Sequence, residues 1–364
     1  MKLVVGVFAY DFFPIVGGQG RHVYELYRES CSDEGITLKV FSPRSNALEG
    51  HVQVHPRTVA GLRNMALSAL LLRDIPRLIR EHGLEIVHLH GGPGGLLLPR
   101  KLPVPTVFTC HHTYLQEARY APRAAWKFGL APLERRSYVL ADRTIAVSES
   151  TKRILTGPYR LAGERVAVIP NGVSAPFLRA SASRAAEATE ILYVGRLDRR
   201  KGIDYLLRAM AVVGRRAPQI RLHVVGEGGL LPRLEEFKRR HSLNVVFHGR
   251  LSDQELEEIY GLVAVQVVPS AFEGFGISVL EGMAHRVPVI GTDTDGIRDI
   301  IDDSETGLLV PYGDEEALAG VILRLCADPR EGEALAERAA QRLDGFGWGA
   351  AYDATVRLYR DLVS

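Results

Sequence analysis

Residues 269–284 read PSAFEGFGISVLEGMA, and this stretch decides the fold more clearly than any other in the chain. An apolar run ends at Pro269, a turn containing Gly274 and Gly276 follows, and a helix is predicted after the turn. The glycines let the backbone approach a ligand closely. The first amides of such a helix point outward with the positive end of its dipole, an arrangement that binds phosphate. The stretch therefore predicts an α/β unit with an anion-binding turn.

Two carboxylates accompany this turn. Glu273 precedes the predicted helix and Glu281 lies two turns into it. A carboxylate accepts two hydrogen bonds at once and so suits vicinal hydroxyls, which allows one acid to bind a sugar and the other a ribose. The alternative is a pair of solvated acids on a helix face, but the flanking Gly-Phe-Gly favours a binding site.

A second anion-binding signal is the segment VGRLDRRKG at residues 194–202. It follows a predicted strand and places Arg196 and Lys201 where they can clamp a diphosphate. Cations stabilise the charge that develops on a departing diphosphate, a task that otherwise falls to a metal ion. We expect the side chains of Arg199 and Arg200 to be exposed to solvent and to lie outside the site. Near the start of the chain, residues 17–20 (GGQG) predict another amide-rich anion turn.

Short runs rich in Val and Ile alternate with helix-length segments along the whole chain, which predicts parallel sheets covered on both faces. The first group of predicted strands is Lys2–Ala9, Leu38–Ser42, Ile86–His90, Thr106–Cys110, Arg143–Val147 and Val166–Ile169. The second group is Glu190–Gly195, Arg221–Gly226, Asn244–Gly249, Ala264–Pro269, Pro288–Thr292 and Gly307–Pro311. The pattern pauses between the groups, around Ser174–Ala188.

A chain of 364 residues is long enough for two domains. We expect an N-terminal domain over residues 1–173, a C-terminal domain over 174–345 and a closing segment over 346–364. The closing segment has helical periodicity from Trp348 to Val363. Periodicity alone does not say which domain this helix packs on, and packing back on the N-terminal domain is one outcome.

The composition is that of an ordinary soluble globular protein, with 46% hydrophobic and 24% charged residues, and it excludes a disordered or fibrous chain. No apolar run approaches the length needed to span a bilayer. The three cysteines, Cys31, Cys110 and Cys326, form no CxxC pair, so no zinc or redox site is expected from them. A reducing cytoplasm fits this usage.

Charge is unevenly distributed. Residues 1–172 contain 22 Lys and Arg against 14 Asp and Glu, whereas residues 173–364 contain 23 against 29, so the halves carry +8 and −6 and sum to the net +2. Either the two domains attract each other, or the basic half faces a negatively charged partner.

The basic residues of the first half concentrate between Ala118 and Tyr138. They are Arg119, Arg123, Lys127, Arg135 and Arg136, interleaved with Tyr120, Trp126, Phe128 and Leu130. Such interleaving is typical of a helix on an anionic membrane surface. A solvated basic helix face packed on its own domain explains the pattern as well.

Taken together, the blocks resemble the retaining GT-B glycosyltransferases of family 4, also called glycosyl transferases group 1. The resemblance covers residues 2 to 363 and rests on six blocks in order. They are Gly17-Gly18 with His22, Thr109-Cys110-His111, Val147-Ser148-Glu149, Pro170-Asn171-Gly172-Val173, Gly195-Arg196 with Lys201-Gly202, and Glu273 to Glu281. The resemblance implies the GT-B fold, two Rossmann-like doubly wound parallel-sheet domains facing a central cleft. The N-terminal domain would lie on the acceptor side and the C-terminal domain would bind the nucleotide sugar.

The resemblance also implies a role for each matching residue. In the donor site, Arg196 and Lys201 would hold the diphosphate, the amides of Ile277 and Ser278 its β-phosphate, and Glu281 the ribose. The transferred sugar would be held by Glu273 and the amides of Phe275 and Gly276, with His111 hydrogen-bonded near the reacting carbon. The backbone of Gly18 would approach the diphosphate, and Arg250 and Leu251 belong to the stretch that contacts the base.

Retention in the family implies transfer on one face of the sugar, with the departing phosphate oxygen taking the acceptor's proton. No metal, other cofactor or nucleic-acid partner is then expected. UDP is favoured over GDP because it is the more frequent donor base among relatives. The acceptor is a lipid-linked, glycan or small-molecule compound, and the enzyme is expected in the cytoplasm, peripheral on the inner face of the membrane if the basic segment binds lipid.

The chain departs from the family pattern at three points. After the second acid the family usually has Ala-Met-Ala-x-Gly-x-Pro, but here Gly282 replaces the first Ala and His285-Arg286 replaces x-Gly. If Arg286 takes a positive φ, the backbone strain is roughly 1 kcal/mol. The downstream Gly-Gly-x-x-Glu is Asp295-Gly296-Ile297-Arg298-Asp299 here, which leaves the contacts of that loop open.

The histidines leave alternatives open. Alignment on Thr109 favours His111 as the sugar contact, but a register shift of one residue would exchange it with His112. His88 and His90 lie on the same side of a strand and invite comparison with a metal pair, yet no third ligand is evident. Cys110 is expected to be buried packing, because strand alternation turns it away from His111.

Two other functions compete with sugar transfer. One is a nucleotide-sugar epimerase of the same fold, and the other is a nucleotide-sugar-binding protein. The combination of Glu-x7-Glu with Arg-x4-Lys favours transfer. A dinucleotide enzyme is disfavoured because residues 226–229 (GEGG) match GxGxxG poorly.

Overall fold

The structure is a computed structural model. It describes residues 2–13, 15, 17–43, 48–54, 74–91, 97–98, 100–120, 122–173 and 187–364. The chain divides into two compact units, of which one comprises Met1–Gly172 with Phe346–Ser364 and the other Val173–Gly345. The pause predicted around Ser174–Ala188 lies almost wholly outside the described residues, as does the side chain of Arg123.

The N-terminal unit is built on a seven-stranded parallel sheet in the order β3-β2-β1-β4-β5-β6-β7. Its strands are β1 Leu3–Phe8, β2 Ile36–Ser42, β3 His51–Gln53, β4 Ile86–Gly91, β5 Thr106–Cys110, β6 Arg143–Ala146 and β7 Val166–Val168. The order reverses direction between β1 and β4, which is the switch point where doubly wound sheets bind ligands.

The C-terminal unit has a six-stranded parallel sheet in the order β10-β9-β8-β11-β12-β13. Its strands are β8 Glu187–Val194, β9 Arg221–Val225, β10 Val245–Gly249, β11 Val263–Val268, β12 Val289–Thr292 and β13 Leu308–Val310. Here the switch point lies between β8 and β11.

The predicted pair of parallel α/β sheets is confirmed. Each of the twelve predicted runs contains a strand, displaced by a few residues at its ends. One strand was missed, β3, a three-residue edge strand that pairs Val40 with His51. The strands read as near-continuous apolar runs because both faces are covered, and every residue of β4 and β5 is buried.

Helices connect the strands in both units. Among the described residues of the N-terminal unit they are α1 Gly18–Ser30, α2 Tyr114–Tyr120, α3 Ala131–Leu140 and α4 Glu149–Thr156, together with the helical residues 74–82. The C-terminal unit contains α5 Ile203–Arg216, α6 Leu231–Arg240, α7 Asp253–Leu262, α8 Ile277–Ala284, α9 Glu315–Ala327 and α10 Pro329–Gln341. Within the part of the chain that is described, none of the helices has the length and hydropathy to cross a bilayer.

The last helix, α11 Trp348–Val363, belongs to the N-terminal unit. It packs on α1, and the hydroxyl of Tyr352 donates to Asp33 Oδ2 at 2.9 Å. Gly172 lies against the start of this helix, because a Cβ there would come within 2.4 Å of the Trp348 amide nitrogen. The closing segment is thus part of the unit that contains the start of the chain.

Candidate functional site

The first cluster of predicted site residues lies at the carboxyl end of β8. After the strand, residues 195–198 form a loop and Arg199–Lys201 a single turn of 3-10 helix. Asp198 caps this turn, since its carboxylate accepts from the Lys201 amide at 3.0 Å. Gly202 follows with φ +69°, and a Cβ there would lie 1.8 Å from the Pro269 carbonyl oxygen. Only glycine fits, so the turn that presents Lys201 is pressed against the end of β11.

The loop after β9 supports this turn. A Cβ at Gly226 would lie 2.0 Å from the Gly195 carbonyl oxygen, and one at Gly228 would lie 2.4 Å from that of Leu197. The Leu197 amide donates to the Glu227 carbonyl at 2.9 Å. These glycines therefore allow two loops to pack backbone to backbone beside the predicted diphosphate clamp.

Glu273 lies at the centre of the C-terminal cluster. Its side chain is only 6% exposed, and three groups contact it. The Lys201 ammonium is 2.6 Å from Oε1, the Arg200 guanidinium 3.3 Å from Oε2, and the Ser270 hydroxyl donates to Oε1 at 2.6 Å. A buried carboxylate with two cations and a hydroxyl is held in one orientation.

These contacts keep the carboxyl ionised. Burial by itself raises the pKa of Glu273, but Lys201 and Arg200 outweigh it and lower that pKa to about 2. Burial lowers the pKa of Lys201, and the attraction of Glu273 opposes this shift. The cluster is thus a buried, charged and hydrogen-bonded group at the carboxyl ends of neighbouring strands.

The loop after β12 fixes the backbone of Glu273. The Glu273 amide donates to the Asp295 carbonyl at 3.0 Å. Gly296 has φ +82°, and a Cβ there would lie 2.6 Å from the Glu273 carbonyl oxygen. The segment whose contacts the sequence left open therefore positions the carboxylate at the centre of the cluster.

Helix α8 begins immediately after the glycine turn. Gly276, with φ +113°, precedes Ile277, and its carbonyl accepts from the Val279 amide at 2.9 Å. The amides of Ile277 and Ser278 have no acceptor within the helix. Glu281 is half-buried on the helix. Gly282 lies against Gln266, because a Cβ there would be 2.0 Å from its Oε1. The replacement of the family's Ala by Gly thus makes room for Gln266, whose amide donates to the Ser278 carbonyl at 2.9 Å.

At the end of α8, Arg286 has φ +54°, the positive φ under which backbone strain was expected. Its guanidinium forms an ion pair with Glu337. His285 stacks on Tyr260 with ring centroids 3.9 Å apart. These contacts hold the helix end where the family usually has glycine.

The other residues predicted for the donor site differ in exposure and contacts. Arg196 is about half exposed and pairs with Asp198 at 3.1 Å. Arg250 is exposed and Leu251 half-buried, directly after β10. The expectation for Arg200 was wrong, because it contacts Glu273 and lies 5.3 Å from the centre of the Phe272 ring. A run of three cations in the sequence does not reveal which of them turn inward. Arg199 is exposed, as expected.

The second cluster lies in the N-terminal unit and consists of histidines. His88 and His90 point from β4, His111 follows β5, and His22 comes from α1. His90 Nδ1 lies 3.0 Å from His111 Nε2, and His22 Nδ1 lies 2.7 Å from Asn171 Oδ1. His88 bridges Thr109 Oγ1 at 2.7 Å and the Tyr359 hydroxyl at 2.5 Å. The sequence named His22 and Asn171 only as parts of matching blocks.

Burial makes this cluster neutral. It lowers the pKa of His22 to about 4 and that of His88 to about 3. Burial also lowers the pKa of His90 and of His111 well below the usual value, and the neighbouring imidazoles add to the shift. The four rings are therefore uncharged at neutral pH and act as hydrogen-bonding groups or ligands.

The structure separates His111 from its neighbour. His111 is 8% exposed and belongs to the cluster, whereas the ring of His112 points to Glu117, 3.5 Å away. Cys110 is fully buried in the core, as predicted, and burial raises the pKa of its thiol.

The glycine turn after β1 differs from the simple anion turn that was expected. The Gly17 amide donates to Asp11 Oδ2 at 2.9 Å, and a Cβ at Gly20 would lie 2.6 Å from the same carboxylate. A side chain of the protein therefore occupies part of the turn. Gly18 is the first residue of α1.

The basic segment forms α2, a 3-10 stretch over Pro122–Leu130 and α3. Trp126 is 63% exposed and Phe128 49%, which makes them the most exposed aromatic side chains in this segment. Lys127 pairs with Glu117, and Arg135 donates to the Tyr159 carbonyl at 2.7 Å, so two of the cations make contacts within the unit.

Both halves of the chain match known families. The family described as Glycosyltransferase Family 4 matches residues 16–175, and Glycosyl transferases group 1 matches residues 175–342. The D-inositol 3-phosphate glycosyltransferase of Kineococcus radiotolerans is 30% identical and aligns over 95% of this chain and 91% of its own length.

Solved structures of low sequence identity share the fold. Sucrose-phosphate synthase from Thermosynechococcus elongatus has a TM-score of 0.83 at 23% identity and covers 100% of this chain and 99% of its own. Anabaena HepE in complex with UDP and glucose has a TM-score of 0.76 at 18% identity, covering 99% and 100%. With these matches over both units, the chain belongs to the glycosyl transferases group 1, family 4, and is a nucleotide-sugar-dependent glycosyltransferase of the GT-B fold.

Proposed function

We propose that the chain is a retaining glycosyltransferase that moves a hexose from UDP to its acceptor without the help of a metal ion. The observation that carries this proposal is the arrangement around the buried Glu273 carboxylate, which Lys201, Arg200 and Ser270 hold in place beside the glycine turn. A buried carboxylate fixed in this way is ready to accept hydrogen bonds from sugar hydroxyls.

The diphosphate would be bound by residues around this carboxylate. Arg196 and Lys201 supply positive charge, and the amides of Ile277 and Ser278 supply hydrogen bonds along the dipole of α8. When the diphosphate binds, the Lys201 ammonium can share its hydrogen bonds between Glu273 and a phosphate oxygen, because it has three donors. Glu281 is proposed to bind the ribose, with Arg250 and Leu251 beside the base.

Catalysis is proposed to rest on electrostatic stabilisation of the leaving group. Negative charge grows on the diphosphate as the bond to the sugar carbon breaks, and fixed cations and amides stabilise that charge. The departing phosphate oxygen then takes the acceptor's proton on the same face of the sugar. His111 would hydrogen-bond the sugar, and the backbone of Gly18 would contribute to diphosphate binding.

The choice of UDP rests on relatives. HepE was solved with UDP and glucose, and the relative from Kineococcus transfers a sugar to an inositol phosphate by its name. These names favour a hexose on a uridine nucleotide and an acceptor with a phosphate or polyol. Glycans and lipid-linked sugars also have a phosphate or several hydroxyl groups, so they fit this class of acceptor.

A lipid-linked acceptor gains support from the surface of the segment over residues 114–140. Trp126 and Phe128 are exposed, and the same segment contains the exposed cations Arg119 and Arg136. Exposed aromatics beside cations are typical of proteins that lie on anionic membranes. We propose that the N-terminal unit binds such a surface through this segment.

The donor is tested by thermal shift with UDP, GDP, ADP and NAD, because a ligand that binds the folded state raises its apparent stability. UDP is expected to give the largest shift. A larger shift with NAD would overturn the proposal.

Transfer is tested by incubating the preferred UDP-sugar with and without a panel of inositol phosphate, glycan and lipid-linked acceptors. A glycosylated product with the anomeric configuration of the donor is expected, and the activity should survive EDTA. Conversion of the donor to an epimer without acceptor would support an epimerase instead, and loss of activity in EDTA that Mn²⁺ restores would refute the metal-independent mechanism.

A further inference from the structure

Three buried histidines of the N-terminal unit converge on one point. His22, His90 and His111 each offer a ring nitrogen, and these nitrogens lie within 4.8 Å of one another. The rings come from α1, from β4 and from the end of β5, so three elements of the unit direct them together. His22 and His90 are 1% and 0% exposed.

Two nitrogens in this cluster lack a partner. Among the residues that the structure describes, neither His22 Nε2 nor His90 Nε2 has a hydrogen-bond partner. A buried polar atom without a partner costs roughly 1–3 kcal/mol, so such atoms call for a ligand that is not part of the polypeptide.

The lone pairs of the cluster are available to an ion. Asn171 Oδ1 can only accept, so the hydrogen of His22 lies on Nδ1 and its Nε2 presents a lone pair. This hydrogen bond also fixes the orientation of the ring, as the partners of metal-binding histidines do. Burial keeps the rings neutral, which is the protonation state that binds metal.

We propose that His22, His90 and His111 bind one divalent transition-metal ion, with Zn²⁺ the ion they fit best. Three imidazoles are a known zinc ligand set that leaves a fourth position for water or another ligand. Imidazole nitrogen also suits Co²⁺, Ni²⁺ and Cu²⁺, whereas Mg²⁺ and Ca²⁺ prefer oxygen ligands. The glycosyl transfer proposed above needs no metal ion, and His111 is the one residue that both proposals use.

Binding requires no change of net charge on the rings. The hydrogen now shared by His90 Nδ1 and His111 Nε2, which are 3.0 Å apart, moves to the other nitrogen of the ring that carries it when the ion takes its place. Each neutral imidazole keeps one hydrogen on the nitrogen that does not face the ion. No proton leaves the three rings, and no oxidant or reductant is involved.

The test is a titration of the full chain with Co²⁺ after treatment with a chelator. Co²⁺ replaces Zn²⁺ in histidine sites and shows visible absorption bands when it is four-coordinate. One equivalent is expected to bind with these bands, and added Zn²⁺ is expected to abolish them by displacement. Mg²⁺ should not compete.

Substitutions of the proposed ligands test whether the ion binds at the histidine cluster. His22→Gln and His90→Gln are each expected to lower the affinity for Co²⁺ at least 100-fold, whereas His112→Gln, whose ring points to Glu117, should bind as the wild type does. Asn171→Leu keeps all three ligands but releases His22, and a 10- to 100-fold loss of affinity is expected. If one of these variants does not fold, the others carry the same test.

The wild-type titration decides the proposal even if no variant folds. A folded wild type with no saturable 1:1 Co²⁺ complex would overturn it, and water would then be the partner of the two nitrogens. Binding that His22→Gln and His90→Gln leave unchanged would assign the ion to surface histidines and overturn it as well. Neither result would bear on donor binding, which is measured separately by the shift with UDP.

Discussion

The two units bury polar side chains in opposite ways. In the C-terminal unit Glu273 is buried as an ion, and two cations and a hydroxyl satisfy it. In the N-terminal unit the histidines are buried as neutral rings, and Glu134, 4% exposed, has its pKa raised to about 7 by burial, against the hydrogen bonds from Tyr159, Tyr114 and Tyr138 that lower it. One unit has a charged site suited to a diphosphate donor. The other has an uncharged histidine cluster suited to hydroxyls or to an ion.

The largest effect is expected from breaking the charged site. Lys201→Met leaves Glu273 buried without its nearest cation, and the free energy of unfolding of the C-terminal unit should fall by about 3–5 kcal/mol. Donor affinity should fall as well. Urea denaturation followed by a probe in this unit measures the stability, and the double variant with Glu273→Gln should recover part of it because no buried charge remains.

Arg199→Met is the matched control, because Arg199 lies on the same turn and is exposed. Its effect on stability should stay within about 0.5 kcal/mol. Equal destabilisation by Lys201→Met and Arg199→Met would show that the buried ion pair contributes nothing.

A smaller effect on the free energy of unfolding is expected when pH changes the ionisation of Glu134 in the N-terminal unit. The folded-state pKa of Glu134, about 7, exceeds the value of 4.5 in an unfolded chain, so the contribution of Glu134 to stability is fully present below pH 4.5 and is lost as pH rises through 7. The loss amounts to roughly 3 kcal/mol. Glu134→Gln should remove this dependence, which denaturation between pH 4.5 and 8 measures.

Glu164→Gln, an exposed acid of the same unit, controls for the loss of one negative charge. Parallel stability curves for wild type and Glu134→Gln would mean that Glu134 is ionised in the folded state. The contribution of Glu273 to stability depends on pH with the opposite sign, because its pKa is about 2. This contribution is present above pH 4.5 and is lost as pH falls.

The neutral cluster is tested through turnover. His111→Ala should lower kcat 10- to 100-fold, or roughly 1.4–2.7 kcal/mol, and change donor affinity less, because a hydrogen bond near the reacting carbon strengthens as positive charge develops there. His112→Ala should do less, since its ring points to Glu117. Steady-state kinetics with the preferred donor ranks the two, and the reverse order would place the catalytic contact one residue later.

The smallest effect concerns the surface of the N-terminal unit. Each cation that reaches an anionic membrane contributes about 1 kcal/mol, so Arg119→Gln should weaken vesicle binding about 5-fold, and Trp126→Ala should weaken it too. Sedimentation with vesicles of graded anionic-lipid content measures the affinity. Absence of binding at low salt, or binding that ignores lipid charge, would favour an acceptor free in solution.

The sequence predicted features that repeat along the chain or depend on residues close together in the sequence. The strands of the sheets are visible as Val- and Ile-rich runs, and the turn before α8 is visible as two closely spaced glycines after an apolar run. The edge strand β3 was not predicted because its three residues, His51 to Gln53, are too few to form a recognisable apolar run. It is defined by its pairing with a single neighbouring strand, β2. The replacement of a glycine by Arg286 raised the question of a positive φ, and the structure shows one.

The sequence could not predict contacts between distant residues. His22 and Asn171 are 149 positions apart, and Arg200 and Glu273 are 73 apart. A carboxylate inside a glycine turn, as with Asp11, or an amide that requires Gly282, as with Gln266, has no periodic signature. Such pairs are fixed by the order of the strands, which only the fold supplies.

Helix α11 has a consequence for synthesis of the protein. It supplies Trp348 beside His22 and Tyr359 beside His88, yet the ribosome makes it after the whole of the C-terminal unit. The nascent N-terminal unit therefore waits, with its histidine cluster incomplete, for the time it takes to translate residues 173–345, about 10–30 s at the usual rate of synthesis. During that interval the surface of α1 that α11 later covers is open to chaperones, and a fragment ending at Gly172 would remain in this waiting state.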